Sequence, residues 1–236
     1  AAVPLFIWGW RHVSDRVRSQ RAALFDPALL AIRPFRLGLG ISIAFAAANA
    51  GFLLAFAFAL QSERGETPLM TGLLHMPFGL GAMIGIAVLG RNFLPRYGKW
   101  VMVAGGTTMT VSALATLAGI GTLALSWQAL TPLLVLTGLG MGTLSGCIAP
   151  VSVAQVDKDH AGAASGLLKT AQQLGGALGI AMAGSVYFAW RGNPDMPPSL
   201  ATAGVVAMLL MLCVALALRL PEGLFAAKVS ASPSTA

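Results

Sequence analysis

The chain has 236 residues, of which 56% are hydrophobic and only 10% are charged, and its mean hydropathy is +0.78. Soluble domains carry about 25% charged residues, so this composition indicates an integral membrane protein. The net charge of +7 comes from spaced basic residues with 8% aromatics, which does not form the pattern of a nucleic-acid-binding face.

The sequence offers no recognisable catalytic or metal-binding pattern. It contains no Ser/His/Asp arrangement, no ligand spacing typical of a metal site and no phosphate-binding glycine loop. Cys147 and Cys213 both lie inside apolar runs, so we interpret them as small core residues and not as a disulfide or metal pair. We therefore expect a protein that is not an enzyme and that needs neither a metal nor a cofactor.

The first 36 residues precede the predicted bundle. Residues 1–10 are apolar over about half a membrane span, so we interpret them as the end of a helix whose start lies upstream in a longer protein. Residues 11–36 are rich in arginine and are interrupted by Pro27 and Pro34. We interpret this segment as a basic cytoplasmic connector, and an anionic-lipid site is the alternative.

The first complete span is predicted over 37–60. Phe45, Asn49, Phe52 and Phe56 recur at a spacing of four, three and four residues, which places them on one helix face. Three phenylalanines and an amide suit a pocket for an apolar or aromatic solute. The alternative is a packing face with one hydrogen bond between helices.

A polar loop over 61–68 precedes the second predicted span, 69–89. This span contains His75, Pro77 and the small-residue pair Gly81 and Gly85. A histidine inside a span can carry a proton, but a lone histidine is more often a hydrogen-bonded structural residue, and we favour that interpretation.

The basic loop 90–99 leads to a third span, 100–123, which carries several hydroxyl side chains. Hydroxyls can bond back to helix carbonyls, so we assign them no function. In the fourth predicted span, 130–153, Gly138, Gly142 and Gly146 form a ridge of glycines at every fourth position, which indicates close helix contact.

The fifth predicted span, 161–190, is the most unusual one. Gly175 and Gly179 indicate close packing, whereas Lys169, Gln172 and Gln173 bring polar groups to membrane depth. The helix is therefore expected to be buried against others or to border a wet cavity, and the alternative is a structural helix whose glutamines bond its neighbours.

The sixth predicted span, 200–220, is nearly all apolar, so we expect it on the lipid-facing periphery, followed by a flexible tail over 221–236. If the connector is cytoplasmic, the outer side holds only Arg64 and Arg191 among the basic residues, which predicts a cytoplasmic C-terminus. Six spans form two triplets of opposite topology, as in many transporters, but the similarity between the triplets is too weak to establish a repeat.

Four stretches resemble the C-terminal half of a major facilitator superfamily transporter, and specifically the fourteen-span drug:proton antiporter family of the EmrB/QacA type. They are the connector 25–36, the loop and helix start 61–77, the basic loop 90–99 and, most specifically, 161–179. One departure is Pro95, which stands before Arg96 where the family usually has an acidic residue.

This resemblance implies an all-α polytopic membrane protein whose six-helix bundle, half of a major facilitator fold, rocks against a missing N-terminal half. The first and fourth spans would line the cavity, the second and fifth would meet the other half, and the third and sixth would face lipid. Arg96, Gly98 and Lys99 match the family's cytoplasmic loop, and together with Arg91 they would act as a gate.

The expected function is a secondary active exporter of small amphipathic molecules in the plasma membrane, driven by proton entry. Phe45, Phe52 and Phe56 would supply apolar contact, and Asn49, Gln172 and Gln173 would orient the substrate. All carboxylates fall in loops or at span ends, so the proton carrier is expected in the other half. The alternatives are a major facilitator that takes up a metabolite and a non-transporting sensor or assembly protein of the same shape.

Overall fold

The computed structural model describes residues 27–221. The predicted helix end at 1–10, most of the connector and the tail beyond residue 221 lie outside the described residues. Within the described part, all regular secondary structure is helical, which confirms the expected all-α class.

The described chain forms eight α-helices, of which six are long and two are short connecting helices. In chain order they are α1 (Pro27–Ala31), α2 (Arg33–Phe58), α3 (Pro68–Ile84), α4 (Leu94–Tyr97), α5 (Lys99–Gly121), α6 (Trp127–Ser152), α7 (Ala161–Ala189) and α8 (Pro198–Leu218). The helical path of α2 continues as a π-helix over Ala59–Glu63, and that of α3 continues over Gly85–Phe93.

Helix α2 begins at Arg33, four residues before the predicted start, because Pro34 occupies its first turn. The expectation that Pro34 interrupts the chain is wrong, since a proline in the first turn costs no hydrogen bond and has a φ angle suited to a helix. Helix α3 begins in the same way at Pro68, and the Thr67 side chain caps it by accepting a hydrogen bond from the Met70 N–H at 3.2 Å.

Five helical stretches are long and apolar enough to cross a membrane: Arg33–Glu63, Pro68–Gly90, Lys99–Gly121, Trp127–Ser152 and Pro198–Leu218. Helix α7 has 29 residues and packs among them, but its glutamines and Lys169 lower its hydropathy below theirs. The six-helix bundle is thus formed by five strongly apolar helices and a sixth that carries polar groups.

Charged residues distinguish the two ends of the bundle. Arg96, Lys99 and Arg219 lie at one end, which we call the basic end. Glu63, Arg64 and Arg191 lie at the other, which we call the far end. Helices α2, α5 and α7 run from the basic end to the far end, and α3, α6 and α8 run back.

The helices pack with an internal two-fold pattern. Helix α2 packs on α7 and α8, just as α6 packs on α3 and α5, while α5 and α8 pack on each other. Exchanging the triplet α2, α3, α5 for the triplet α6, α7, α8 maps these contacts onto one another, although α7 also packs on α8 and α3 makes no comparable contact with α5. Since the two triplets run in opposite directions, the bundle is an inverted repeat.

Glycines fix the same register in both copies of this repeat. On α7, a Cβ at Gly175 would meet the Ile43 carbonyl oxygen and one at Gly179 would meet that of Ala47. On α3, Gly81 and Gly85 lie in the same way against the carbonyls of Val135 and Leu139. In each copy, two glycines four residues apart rest on two carbonyls four residues apart.

The shared register of the glycines also reveals a repeat in the sequence. The sequence similarity between the two triplets is too weak to establish this repeat by itself. Residues 71–85 (TGLLHMPFGLGAMIG) align without gaps with residues 165–179 (SGLLKTAQQLGGALG). The identical pairs are Gly72/Gly166, Leu73/Leu167, Leu74/Leu168, Leu80/Leu174, Gly81/Gly175 and Gly85/Gly179. The same alignment places His75 and Lys169, the two basic residues within spans, at equivalent positions.

Candidate functional site

The predicted aromatic face of α2 lies inside the bundle. Phe52 and Phe56 are fully buried and Phe45 is 6% exposed, so the three rings belong to the packed core. The Phe52 ring centroid lies 6.0 Å from that of Phe56 and 5.9 Å from that of Phe78 on α3. Phe78, which the spacing pattern of α2 could not indicate, thus joins α3 to this cluster.

His75 closes the aromatic cluster on its more exposed side. Its ring makes edge contacts with Phe56 at 5.4 Å and Phe78 at 5.1 Å between ring centroids. Within residues 27–221 it makes no hydrogen bond. His75 is therefore held by aromatic packing and not by the hydrogen bond expected of a structural histidine.

Asn49 lies about one helical turn from this cluster, toward the basic end, and is only partly buried. Its Oδ1 atom is buried and has no hydrogen-bond donor among the described residues. The same is true of the Oγ atom of Ser42, which lies seven residues earlier on the same helix face. Each such unpaired buried polar atom costs about 1–3 kcal/mol, so this α2 face is a place where a donor from outside the described chain would be stabilised.

The polar residues of α7 lie elsewhere. Gln173 and Lys169 are exposed, and Gln172 is half-buried on the side nearer α2. The contact of Gly175 with Ile43 sets the register of the two helices, so Gln172 lies beside the first turns of α2. Asn49 is then about nine residues farther along, or roughly 13 Å, so the structure does not bring the predicted asparagine and glutamines together.

The two helices at the flanks of the bundle expose matching apolar stripes. On α3, Leu69, Leu73, Met76, Leu80 and Met83 are all more than half exposed at alternating spacings of four and three. On α7, Leu174 and Leu178 are exposed on the side that corresponds to the α3 stripe in the repeat alignment. No described helix covers either stripe. A spacing of this kind suits packing against a further helix.

The glycine ridge of α6 lies against α3. A Cβ at Gly138 would meet the Phe78 carbonyl oxygen, and one at Gly142 would meet that of Ala82. Nearer the basic end, the Cβ position of Gly146 lies 3.4 Å from Cα of Gly90. The backbones of the two helices therefore touch along the ridge. A side chain at Gly138 or Gly142 would have to displace backbone atoms, whereas the Cβ position of Gly146 is at ordinary contact distance.

The basic loop forms a compact turn between α3 and α5. Gly98 has φ +55° and ψ −131°, a conformation that a side chain disfavours, which explains why glycine stands there. The Arg96 guanidinium lies 5.7 Å from the Tyr97 ring centroid. The Lys99 ammonium lies 3.5 Å from the Leu220 carbonyl oxygen at the end of α8.

Sequence reasoning missed a polar cluster at the far end. The Glu63 carboxylate accepts hydrogen bonds from the Ser199 N–H at 2.9 Å and the Ser199 hydroxyl at 2.7 Å, so it caps the start of α8. The neighbouring Arg64 donates to the Leu125 carbonyl oxygen at 2.9 Å and lies 4.6 Å from the Trp127 ring centroid. The sequence places both residues in a polar loop, and nothing in it indicates partners more than sixty residues away.

The site thus consists of an aromatic cluster (Phe52, Phe56, His75 and Phe78), the unpaired amide of Asn49 beside it, and a separate polar surface on α7. Large rings beside a single amide can bind a flat or apolar solute and orient one polar group of it. The flanking stripes of α3 and α7 lie at either side of this face.

Comparison with known families and proteins gives a consistent assignment. A family model described as Major Facilitator Superfamily matches residues 1–180 and 39–232 in two overlapping alignments. A probable actinorhodin transporter of Streptomyces coelicolor is 31% identical over 187 residues, covering 77% of this chain and 32% of the relative. The multidrug resistance protein Stp of Mycobacterium tuberculosis is 29% identical, over 79% of this chain and 33% of the relative.

A third relative is the multidrug efflux pump LfrA of Mycolicibacterium smegmatis, which is 30% identical over 78% of this chain and 36% of its own length. The chain therefore spans about a third of the length of the curated relatives it matches.

Proposed function

Since the chain belongs to the major facilitator superfamily and is a multi-pass membrane protein, we propose that it forms one six-helix lobe of a secondary active exporter of small amphipathic molecules. Three observations support this function. The bundle is an inverted repeat, relatives of this chain are named as a probable actinorhodin transporter and a multidrug resistance protein, and the matched part of this chain covers only about a third of each of them.

The second lobe would cover the flanking stripes of α3 and α7. Both stripes consist of large apolar side chains at helical spacing, including Leu73, Leu80 and Leu174, which are at least half exposed. Helices that pack in this way without interlocking polar groups can slide or rock on each other. The N-terminal half of the same protein is the partner we propose, with the lipid bilayer around both lobes.

The observation that carries the substrate class is the unpaired Asn49 amide beside the aromatic cluster. Because Phe52 and Phe56 are fully buried inside this lobe, we propose that α2 and α3 move apart during transport. Phe45, Phe52 and Phe56 would then contact an apolar solute while Asn49 accepts a hydrogen bond from it. Gln172 and Gln173 would contact the same solute at a different stage, because they lie roughly 13 Å from Asn49 along the bundle.

We propose that export is coupled to proton entry and that the proton carrier lies in the other lobe. The described acidic residues lie at helix ends and in connections, and Glu63 already caps α8. The protein would lie in the plasma membrane with its basic end and C-terminus in the cytoplasm, because basic residues favour that side. There Arg91, Arg96, Gly98 and Lys99 would form part of the inner gate.

Transport in inside-out membrane vesicles tests this function. With the full-length protein that contains this chain, ethidium should accumulate in the vesicles when their interior is acidic and should leave when nigericin collapses the pH gradient. Vesicles without the protein are the control. Accumulation with the opposite gradient would indicate a metabolite importer, and the absence of substrate counterflow would indicate a non-transporting protein.

A further inference from the structure

The six long helices form two groups, each built around a central helix. Helix α2 packs on α7 and α8, and α6 packs on α3 and α5. Close backbone approach ties the members together, because Gly175 of α7 rests on an α2 carbonyl and Gly138 of α6 rests on an α3 carbonyl. We call these sets the α2 group and the α6 group. Interiors packed this closely move as units and do not deform continuously.

The seam between the two groups is packed unevenly. On one side of the bundle, α5 and α8 pack closely on each other. On the side of the Asn49 face, α2 and α3 are joined by ring contacts such as that of Phe52 with Phe78, and their described backbones hardly approach each other. A motion that parts the two groups would therefore pivot on α5 and α8 and would open the cleft between α2 and α3.

One charged side chain crosses this seam at the far end. Arg64 follows the π-helical end of α2, and its Nη2 atom donates a hydrogen bond to the Leu125 carbonyl oxygen at 2.9 Å. Leu125 lies in the turn between α5 and α6. The same guanidinium lies 4.6 Å from the ring centroid of Trp127, the first residue of α6. Arg64 thus joins the α2 group to the α6 group.

The support of Arg64 is fixed within the α2 group. The neighbouring Glu63 carboxylate accepts hydrogen bonds from the N–H and the hydroxyl of Ser199 at the start of α8. Five residues earlier, the Phe58 ring packs on Tyr187 and Phe188 of α7, at 5.2 Å and 5.5 Å between ring centroids. Because its base is held by both partner helices of α2, Arg64 can keep the α5–α6 turn in place.

Two features oppose this contact. Ala124, which precedes Leu125, has φ +44°, a conformation that the Cβ atom of alanine disfavours. The Nη1 atom of Arg64 is buried and has no acceptor among the described residues, and an unpaired buried donor on a charged group is unfavourable. The joined arrangement is therefore only weakly favoured, so a small change in energy can release it.

We propose that Arg64 is a latch that holds the two helix groups together at the far end and whose release lets them part. On release, Ala124 returns to a negative φ and the cleft between α2 and α3 opens toward the far end. Arg64 is a positioning residue, since it acts through the α5–α6 turn and not by touching the substrate. This proposal rests on the proposed movement of α2 away from α3 during transport.

Distances between spin labels in the purified full-length protein test this proposal. Gln128→Cys, at the start of α6, and Ala189→Cys, at the end of α7, are exposed positions that place one label in each group. Pulsed electron paramagnetic resonance in liposomes measures a shorter distance for the latched state and a longer one for the open state. In Arg64→Met the ratio of longer to shorter distances should rise about tenfold, the usual effect of losing one hydrogen bond from a charged donor.

Three further variants test the origin of this shift. Arg64→Lys keeps the charge without the planar guanidinium and should give an intermediate ratio. Ala124→Gly should lower the ratio about fivefold, because glycine adopts a positive φ without the steric penalty of alanine and so favours the latched turn. Arg191→Gln, which removes an exposed arginine at the same end, is the charge control and should leave the ratio unchanged.

An unchanged ratio in Arg64→Met would overturn the proposal, as would an equal rise in Arg191→Gln. A rise in Ala124→Gly would also overturn it, because opening would then follow from flexibility of the turn. Monodisperse elution shows that each variant is folded, and if Arg64→Met fails this check, the opposite shift expected of Ala124→Gly still decides. The distances require no transport, so absent ethidium transport with the expected distance shifts would count against the exporter function and not against the latch.

Discussion

Among single residues, Asn49 has the clearest physical signature in the bundle. Its amide oxygen is buried and unpaired, although α2 packs tightly on both sides of it. Ser42 has the same defect on the same face, but its side chain is fully buried, whereas Asn49 is partly exposed. On this difference we propose that a substrate can reach Asn49 but not Ser42.

Replacing Asn49 should therefore raise the stability of the protein while weakening substrate binding. Asn49→Leu removes an unpaired polar atom from an apolar environment, so we expect the thermal stability of the purified protein to rise by the equivalent of about 1–2 kcal/mol. The same change should raise the KM for ethidium because the orienting acceptor is lost. Ser42→Ala is the control, and it should raise stability without changing KM. An unchanged KM in Asn49→Leu would remove Asn49 from the binding site.

His75 gives the second prediction for a single side chain. Its contacts with Phe56 and Phe78 are ring contacts, which phenylalanine can also make. His75→Phe should therefore preserve both folding and the dependence of ethidium transport on the pH gradient, because we propose that the proton carrier lies in the other lobe. If the variant still binds ethidium but no longer responds to the gradient, His75 carries the proton after all.

Among the helices, the existence of all six long ones and most of their ends could be predicted from the sequence. Helical spacing of apolar residues, the Thr67 cap and the glycine turn at Gly98 are local signals, so they can be read without a structure. The sequence is misleading at Pro34 because a proline can either begin a helix or break one. The glycine positions were recognised, but the helix that each glycine meets depends on long-range packing.

The sequence predicts two triplets of opposite topology but does not establish the repeat, for a related reason. The aligned segments 71–85 and 165–179 are separated by about 94 residues and differ in polarity at His75/Lys169 and at Phe78/Gln172. The repeat became visible through the shared register of the glycine contacts. Likewise, the periodicity of α2 indicates its aromatic face. The burial of Phe52 and Phe56 depends on packing against α3, however, and no local sequence signal tells where α3 lies.

The repeat predicts that equivalent glycines have equivalent energetic roles. Gly81→Ala and Gly175→Ala each place a methyl group against a backbone carbonyl, of Val135 and Ile43 respectively, so each should destabilise the protein by about 1–3 kcal/mol. Thermal unfolding of the purified protein, followed by tryptophan fluorescence, measures this loss.

The matched control is Gly176→Ala, one residue along the same helix. Its Cβ position meets nothing within 4 Å, so alanine should be neutral or should stabilise α7 by up to about 1 kcal/mol. Equal losses in Gly176→Ala and Gly175→Ala would show that these glycines act through backbone flexibility and not through helix contact.

The bundle as a whole has two kinds of surface. Helices α5 and α8 pack on each other and carry exposed apolar residues such as Val111, Met208 and Met211. Helices α3 and α7 flank the opposite face, where Asn49 and the polar residues of α7 lie. The proposed function requires this second face to turn toward water and toward another lobe.

Cysteine accessibility in the full-length protein is the decisive test of this orientation. Asn49→Cys, Gln172→Cys and, as a lipid-facing control, Met211→Cys are treated with a membrane-impermeant maleimide, with and without a pH gradient. Cys147 and Cys213 are fully buried and should contribute little background. We predict that the cysteines at 49 and 172 react, that the gradient changes their rates in opposite directions, and that the cysteine at 211 stays unreactive. If the cysteines at 49 and 172 are as unreactive as the one at 211 in every state, the face points into lipid and the proposed orientation is wrong.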